Sequence, residues 1–294
     1  MNRTKKGIAL ITGPTSGIGK AFAFCLAEQG YDLVLVSRRK NQLKQLANSL
    51  LAKYHTHSEC VVADLSLEND IARIENYIKS LNQLSLLINN AGFGVGGYFL
   101  QVPLAEQMQM VNVHLSSTIR FCRAAIPILA KEKNGSIINV ASFSAFMQLP
   151  GSVMYTTTKA AVVSFSQTLQ LELKPSGIKV QALCPAFTPT SFHASINREV
   201  KFVEQIPDYL WIPAEKVVNY SLKSLKRKRV VCVPGFLYQT IYTLNKHPLI
   251  SALIHRIARP KQQNLKTLTP LAKNKEAKQS EKYKIAHELE LSSF

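Results

Sequence analysis

The chain has 294 residues, 46% of them hydrophobic, which is enough to bury the core of one large α/β domain and leave a tail. Its five cysteines are scattered and never form a C-x-x-C pair, so we expect a reducing compartment, no disulfide framework and no metal site. The net charge of +18 either attracts phosphates or anionic lipid or serves solubility alone. Nucleic-acid binding is not expected, because the sequence contains no recognisable nucleic-acid-binding module.

The first residues predict a cytoplasmic protein. A short basic segment, residues 1–6, leads into an apolar run that ends at Thr12 and Gly13, and this run is shorter than that of a signal peptide. No apolar stretch of the sequence reaches the length of a membrane span.

Short apolar runs alternate with helical patterns through the first two-thirds of the chain. The runs are continuous, as expected for parallel strands that are buried on both faces. Longer helical patterns separate them, for example at 19–29, 40–53 and 155–173. This order predicts right-handed βαβ units and a doubly wound parallel sheet of the α/β class. The predicted strands are 8–11, 33–36, 60–63, 86–88, 136–140, 179–183 and, as the final strand, 230–233.

The pattern changes after the last predicted strand. We therefore divide the chain into a sheet domain, residues 1–235, and a C-terminal extension, residues 236–294. Apolar positions in the extension predict one or two amphipathic helices broken at Pro248, and the Lys-rich end beyond Pro260 predicts a mobile tail. Residues 236–260 place aromatic and aliphatic side chains beside basic ones. Three fates stay open for them: packing on the core, a subunit contact, or peripheral contact with a membrane.

A glycine-rich turn joins the first strand to a helix. Its glycines have the spacing G-x-x-x-G-x-G, which permits a tight turn and close approach of the backbone to a pyrophosphate. The helix that follows offers free N–H groups and the positive end of its dipole to phosphates. Such a turn also occurs as an ordinary connection, but its place between strand and helix predicts a nucleotide site. The candidate residues are Gly13, Thr15, Ser16, Gly17, Ile18 and Gly19.

The end of the second strand predicts which nucleotide binds. A site for NAD places an acid about 20 residues beyond the glycine turn, on the ribose 2′-OH. Here the chain has Ser37, Arg38 and Arg39 and no acid. Because an arginine pairs with a 2′-phosphate that an acid would repel, we expect NADP, with Arg38 as the main partner and Ser37 and Arg39 as helpers. The alternative is that these are solvated charges at a helix start.

Two more strands end in candidate nucleotide-binding residues. Asp64 and Leu65 follow the third strand, where the carboxylate can accept from an adenine amino group or cap the next helix. Asn90, Ala91 and Gly92 follow the fourth strand, where short side chains let the backbone approach a ligand, although they also form ordinary turns.

A phenol and an ammonium group stand one helical turn apart at Tyr155 and Lys159. A free phenol has a pKa near 10, which is too high for efficient proton transfer at neutral pH, and a nearby cation lowers the pKa. We therefore expect Tyr155 to exchange a proton with a carbonyl or alcohol oxygen. Ser142 can hydrogen-bond that oxygen, or it serves only as a helix N-cap. The alternative for the Tyr/Lys pair is an ordinary surface helix.

Together these motifs resemble the classical short-chain dehydrogenase/reductase family over roughly residues 6–190. The resemblance implies a Rossmann fold, use of NADP, and often a homodimer or homotetramer. It also implies a tetrad in which Tyr155 is the acid/base and Lys159 holds the nicotinamide ribose. In that tetrad Ser142 orients the carbonyl and Asn112 supports a water-linked proton relay.

The chain departs from the family at Ala186, where a glycine is usual after Pro185. An alanine still allows close approach of the backbone if its φ is negative. The resemblance also implies that Thr190 bonds the carboxamide of the cofactor, with Pro185 and Thr188 in the same loop.

We expect an NADPH-dependent reductase that converts a hydrophobic ketone or 3-oxoacyl group to an alcohol. The segment 192–213 is rich in apolar and aromatic residues, which serve either core packing or a substrate pocket. The alternatives are an NAD-linked alcohol or steroid-type dehydrogenase, and an NADP-binding regulator without catalysis.

Overall fold

Seven parallel strands form one sheet in the computed structural model, which describes residues 6–131, 135–147, 150–190 and 206–245. The strand order is β3-β2-β1-β4-β5-β6-β7, so the order reverses between β1 and β4. In open sheets of this kind, ligands bind beyond the carboxyl ends of the strands at that reversal. The strands are β1 Ile8–Thr12, β2 Asp32–Ser37, β3 Ser58–Val62, β4 Leu86–Asn89, β5 Ser136–Val140, β6 Lys179–Leu183 and β7 Val231–Cys232.

Continuous apolar runs give the central strands two buried faces. Every residue of β4 and β5 is buried, and so are the last four residues of β1. The doubly wound parallel sheet predicted from the sequence is therefore confirmed. The third strand begins two residues before its predicted start, and the last strand is limited to two residues.

Helices cover both faces of the sheet. One layer packs α1, α2 and α7 around Phe22 and Leu26, and the other packs α3 and α5 around Ile74 and Phe121. The helices are α1 Gly17–Glu28, α2 Lys40–Tyr54, α3 Glu68–Ser80, α4 Leu104–Val111, α5 Ser117–Leu129, α6 Val153–Leu173, α7 Ala214–Lys226 and α8 Phe236–Leu244.

A π-helical turn, Asn112–Ser116, joins α4 to α5. Such turns are rare and are frequent at functional sites. Here the turn directs Val113 and His114 into the interior, beside the first turns of α6.

The start of the C-terminal extension packs on the core. In α8, Tyr238 is buried and its hydroxyl donates to the carbonyl of Leu210 at 2.8 Å. Asn245, which follows α8, donates to the carbonyl of Phe146 at 2.7 Å. Residues 236–245 therefore pack on the core, which was the first of the three possibilities, and Phe236 at the start of α8 stays exposed. The predicted break at Pro248 and the Lys-rich tail lie outside the described residues, and the division of the chain at residue 235 stays a prediction.

Within the described ranges, no helix combines the length and the apolar character needed to cross a membrane.

Candidate active site

A cavity of about 900 Å³ opens at the carboxyl ends of the strands. Of the site residues predicted from the sequence, all line this cavity except Gly19 and Asn112. The sheet therefore brings the glycine turn, the basic residues after β2 and the Tyr/Lys pair to one place, although they lie far apart in the chain.

At two positions of the glycine turn, neighbouring backbone leaves no room for a side chain. A Cβ at Gly19 would lie 2.3 Å from the carbonyl oxygen of Gly13, so this position requires a glycine although Gly19 does not line the cavity. Gly13 has a φ of +66°, and a Cβ there would lie 2.9 Å from the Cα of Ala91. The turn thus places bare backbone at the start of α1, where N–H groups are free for phosphates.

Asn90 and Thr12 brace this turn. The Thr12 Oγ1 accepts from the backbone N–H groups of Asn90 and Ala91, both at 2.9 Å. The Asn90 Nδ2 donates to the carbonyls of Thr12 at 2.9 Å and Gly13 at 3.0 Å. Asn90 therefore acts on the turn, and Thr12, which was not among the predicted site residues, supports it.

The two arginines after β2 have different partners. Arg38 is exposed and lies 3.7 Å from a carboxylate oxygen of Asp64. Arg39 donates to Thr15 Oγ1 and, at 3.0 Å, to Ser16 Oγ, so its guanidinium spans the glycine turn. Both arginines line the cavity.

Asp64 does not cap the helix that follows it. The N-cap of α3 is Leu67, whereas Asp64 Oδ1 accepts from the backbone N–H of Ser66 at 3.0 Å and from its hydroxyl at 2.8 Å. The cap alternative is therefore wrong, and the carboxylate stays at the cavity rim beside Arg38.

Ser142, Tyr155 and Lys159 form one cluster at the cavity. Ser142 is both an N-cap, which accepts from the backbone N–H of Ser144 at 3.2 Å, and a hydrogen-bond partner of the Tyr155 phenol. Lys159 is buried, its Nζ donates to the carbonyl of Val140 at 2.9 Å and lies 5.9 Å from the centre of the Tyr155 ring. The N-cap role of Ser142 is therefore observed, and its hydrogen bond to a reacting oxygen stays a prediction.

Burial dominates the proton affinities of this pair. It raises the pKa of Tyr155 to about 12, against which the Ser142 hydrogen bond acts in the lowering direction. It lowers the pKa of Lys159 to about 8, which the nearby Cys184 thiol partly opposes. The expected lowering of the Tyr155 pKa is thus not found in the protein by itself, because desolvation of the phenolate outweighs the stabilisation available to it.

The structure does not bring Asn112 into this cluster. The Asn112 Nδ2 donates to the carbonyl of Ser66 at 3.0 Å. His114, two residues later in the π-helical turn, lies against Tyr155 instead, with ring centres 5.7 Å apart at 77°. The sequence offered one signal for His114, an ionisable side chain within an apolar helical pattern.

The loop after β6 keeps its expected course despite Ala186. The described non-glycine residues with positive φ are His55 and Lys228, so the φ of Ala186 is negative, as an alanine there requires. Thr190 packs on the glycine turn, since a Cβ at Gly17 would lie 2.6 Å from its methyl group. Pro185, Thr188 and Thr190 all line the cavity.

A sequence model for the short chain dehydrogenases matches residues 7–201, about two-thirds of the chain. The chain belongs to this family. It is an oxidoreductase of the short-chain dehydrogenase/reductase type, and the resemblance stated from its motifs is confirmed.

Three known proteins are similar to this oxidoreductase. The very-long-chain 3-oxoacyl-CoA reductase of Rattus norvegicus is 33% identical over 186 residues, which span 62% of this chain and only 59% of the rat protein. A short-chain dehydrogenase from Sphingobium yanoikuyae, solved with NADPH, is 31% identical with a TM-score of 0.74 over 88% of this chain and 97% of its own. The bulky-bulky ketone specific alcohol dehydrogenase from Comamonas testosteroni is 30% identical with a TM-score of 0.72, covering 89% and 97%.

The end of the cavity beyond Tyr155 in this family member is apolar. Tyr238 and Ile241 of α8 form one wall, and the Tyr238 ring packs on that of Phe143 at 5.2 Å between centres. Leu210 and Phe187 line it as well, and Phe187 is packed by Trp211 at 5.7 Å. The two residues of α8 were not among the predicted site residues, because they lie in the C-terminal extension.

Only part of the apolar and aromatic segment 192–213 is seen to line the cavity. Within it, Leu210 reaches the cavity, Ile206 is buried and Tyr209 is exposed. Two aromatic residues of this segment, Phe192 and Phe202, lie outside the described residues.

Proposed function

We propose that this oxidoreductase uses NADPH to reduce a hydrophobic ketone or 3-oxoacyl carbonyl to an alcohol. The observation that carries the proposal is the hydrogen-bonded pair of Ser142 and Tyr155, with buried Lys159 beside it, where the nucleotide end of the cavity meets an apolar end.

The residues of the cavity fit a nicotinamide dinucleotide. Bare glycine backbone and the N-terminus of α1 suit a pyrophosphate, and Thr190 packs on that turn. Arg38 and Arg39 suit a 2′-phosphate, because a guanidinium pairs with phosphate through two parallel hydrogen bonds. When bound, the reduced nicotinamide supplies the hydride.

The chain's own residues handle the proton. The Ser142 hydroxyl orients a carbonyl oxygen toward Tyr155, which donates its phenolic proton to that oxygen. The positive charge of Lys159 stabilises the phenolate that is left behind. Because burial raises the pKa of Tyr155, the phenol is protonated at neutral pH, which is the form that a proton donor requires.

The apolar end of the cavity supports a bulky or long-chain substrate. Its walls are aromatic and aliphatic, and hydrophobic burial there stabilises a substrate by about 25 cal/mol for each Å² removed from water. The rat relative is named for very-long-chain 3-oxoacyl-CoA and the Comamonas relative for bulky ketones.

Turnover with NADPH tests the proposal. Purified protein is mixed with NADPH and with ketones and 3-oxoacyl thioesters of increasing chain length, and the loss of NADPH absorbance is followed. We expect turnover that rises with chain length or bulk. Tight binding of NADPH without any turnover would instead favour the non-catalytic regulator.

Arg38→Asp should shift the preference from NADPH toward NADH by about tenfold or more. The variant removes a phosphate partner worth roughly 1.5–3 kcal/mol and adds a carboxylate that can accept from a ribose 2′-OH. The measurement is the ratio of kcat/KM for the two cofactors.

Arg39→Ala is the matched comparison for Arg38→Asp. Because Arg39 holds Thr15 and Ser16, we expect it to weaken NADPH binding as well. If the wild type prefers NADH, the alternative of an NAD-linked dehydrogenase is supported. If Arg38→Asp leaves the ratio of kcat/KM for the two cofactors unchanged, the 2′-phosphate is assigned to Arg39.

Ile241→Trp should lower kcat/KM for the bulkiest carbonyl substrates by about tenfold and leave small ketones nearly unchanged. The larger ring fills part of the apolar end, and one methylene in such a pocket already changes binding by roughly 1–3 kcal/mol. Leu244→Trp is the control, since Leu244 lies on the half-exposed side of the same helix. Equal losses for all substrates would contradict a specificity role for α8.

We also propose a homodimer or homotetramer in the cytoplasm. Apolar side chains that α4 and the segment before it leave exposed, among them Leu104 and Phe99, support self-association. Sedimentation velocity should give a mass of two or four chains. Peripheral membrane contact through residues 236–260 is tested in the same preparation by co-sedimentation with anionic vesicles, which high salt should reverse.

A further inference from the structure

His114 links two parts of the active site. It is buried, with 2% of its surface exposed, and lies between the turn after β4 and the start of α6. The backbone N–H of Phe93 donates to its Nε2 at 3.1 Å, and its Nδ1 lies 2.9 Å from Thr158 Oγ1. The Thr158 hydroxyl donates in turn to the backbone carbonyl of Tyr155 at 3.0 Å.

The hydrogen bonds fix the proton of the ring. Because Nε2 accepts from Phe93, a neutral imidazole carries its proton on Nδ1 and donates it to Thr158 Oγ1. The Thr158 proton then points to the Tyr155 carbonyl. The chain of bonds therefore runs in one direction, from the turn after β4 to the helical turn that carries the phenol.

The surroundings keep the ring neutral. Tyr155 and Lys159 of α6 face it, and a Cβ on Gly92 would lie 3.1 Å from His114 Nε2 and 3.5 Å from Lys159 Nζ. Burial, and then the charge of Lys159, hold the pKa of His114 well below its ordinary value. With both nitrogens bonded and no charge, the ring has no proton to exchange with a substrate.

We propose that His114 is a positioning residue: it ties the Gly92–Phe93 wall of the cavity to Thr158, and through Thr158 it sets the place of Tyr155. The inference rests on the proposed function, because the position of Tyr155 matters for proton donation to a carbonyl. It assigns to His114 the support of the Tyr155 end of the cluster.

We expect loss of the His114–Thr158 hydrogen bond and loss of the Phe93–His114 hydrogen bond to have different kinetic effects. Thr158→Val removes the hydroxyl with little change of shape, so kcat should fall by about tenfold or more while the Kd for NADPH stays within about twofold. Thr158→Ser keeps the hydroxyl and should keep most of kcat. His114→Asn retains a donor near the place of Nδ1 but loses the acceptor for Phe93, so it should raise the Kd for NADPH and largely spare kcat.

A double-mutant cycle tests whether His114 and Thr158 act together. His114→Phe keeps a ring but loses both hydrogen bonds, and we expect it to lower kcat about as much as Thr158→Val. The double variant should then cost no more than the larger single one. Additive losses, or equal falls in kcat for Thr158→Val and Thr158→Ser, would overturn the proposal.

Nuclear magnetic resonance of the histidine-labelled wild type gives a readout independent of turnover. The ring signal that is missing in His114→Asn should have the Nδ1–H pattern and should not titrate near neutral pH. A titrating or Nε2–H ring overturns the link. If the wild type reduces no carbonyl, the proposed function fails, and the link is then decided by this spectrum and by the NADPH affinities of the variants.

Discussion

Tyr155→Phe should lower kcat by about a hundredfold to ten-thousandfold, the usual contribution of general acid catalysis, while the Kd for NADPH changes little. The substitution removes only the phenolic oxygen, which Ser142 holds, and leaves the ring that packs on His114. Single-turnover kinetics with NADPH and the best ketone substrate, together with a fluorescence titration of NADPH, measure the two quantities.

Tyr209→Phe is the matched control. It makes the same chemical change on an exposed side chain near the apolar end of the cavity, and it should leave turnover as in the wild type. If Tyr155→Phe kept more than about a tenth of wild-type turnover, the proton would have to come from Ser142 or from water.

The fold could be predicted from the sequence because its signals are local. Buried parallel strands need apolar side chains on both faces, so β1, β4 and β5 stand out as short continuous runs. The glycine turn is equally local, since Gly13 and Gly19 are needed where backbone meets backbone. These signals place the sheet and the glycine turn without any knowledge of tertiary contacts.

The support of the Tyr155 cluster could not be predicted in the same way. On a regular helix, residues 112 and 114 differ by about 200° and face opposite sides, so the choice between Asn112 and His114 depends on how the helix is turned. The π-helical turn at Asn112–Ser116 changes the direction in which these side chains point, and the residue types do not predict such a turn. The side chain of Asn112 is directed to Ser66, and its part in a water-linked proton relay stays a prediction.

The apolar end of the cavity could not be predicted from the sequence for a different reason. Tyr238 and Ile241 follow the last strand, where an amphipathic pattern is equally consistent with core packing, a subunit contact or a membrane surface. Only the tertiary contacts, such as that of Tyr238 with Leu210, assign the first of these fates to α8.

Lys159→Met should abolish most of the turnover and at the same time stabilise the protein without nucleotide. The loss of turnover, by about a hundredfold or more, follows because no charge then supports the Tyr155 phenolate. The gain in stability follows because Lys159 is buried and its pKa is lowered to about 8, so the folded state holds its charge less well than the unfolded chain does.

The stability gain depends on pH in a defined direction. The lowered pKa makes the charge of Lys159 cost free energy of folding in full below about pH 8, and this cost disappears as the pH rises toward the ordinary value of 10.5. At neutral pH the buried charge costs about 3 kcal/mol of folding free energy, which Lys159→Met recovers. The variant also loses the hydrogen bond to Val140, which reduces this gain in stability by about 1 kcal/mol. The variant should therefore melt about 5 °C higher at neutral pH.

Thermal unfolding of the two proteins across pH 7 to 10.5 measures this difference, and titrations common to both cancel in the comparison. Lys174→Met, on an exposed side chain just after α6, is the control and should change the free energy of unfolding by less than about 0.5 kcal/mol. A variant that melts lower than the wild type at neutral pH would mean that the bond to Val140 outweighs the cost of the buried charge. The expected result, in contrast, would identify Lys159 as a residue kept at the expense of stability for the sake of the reaction.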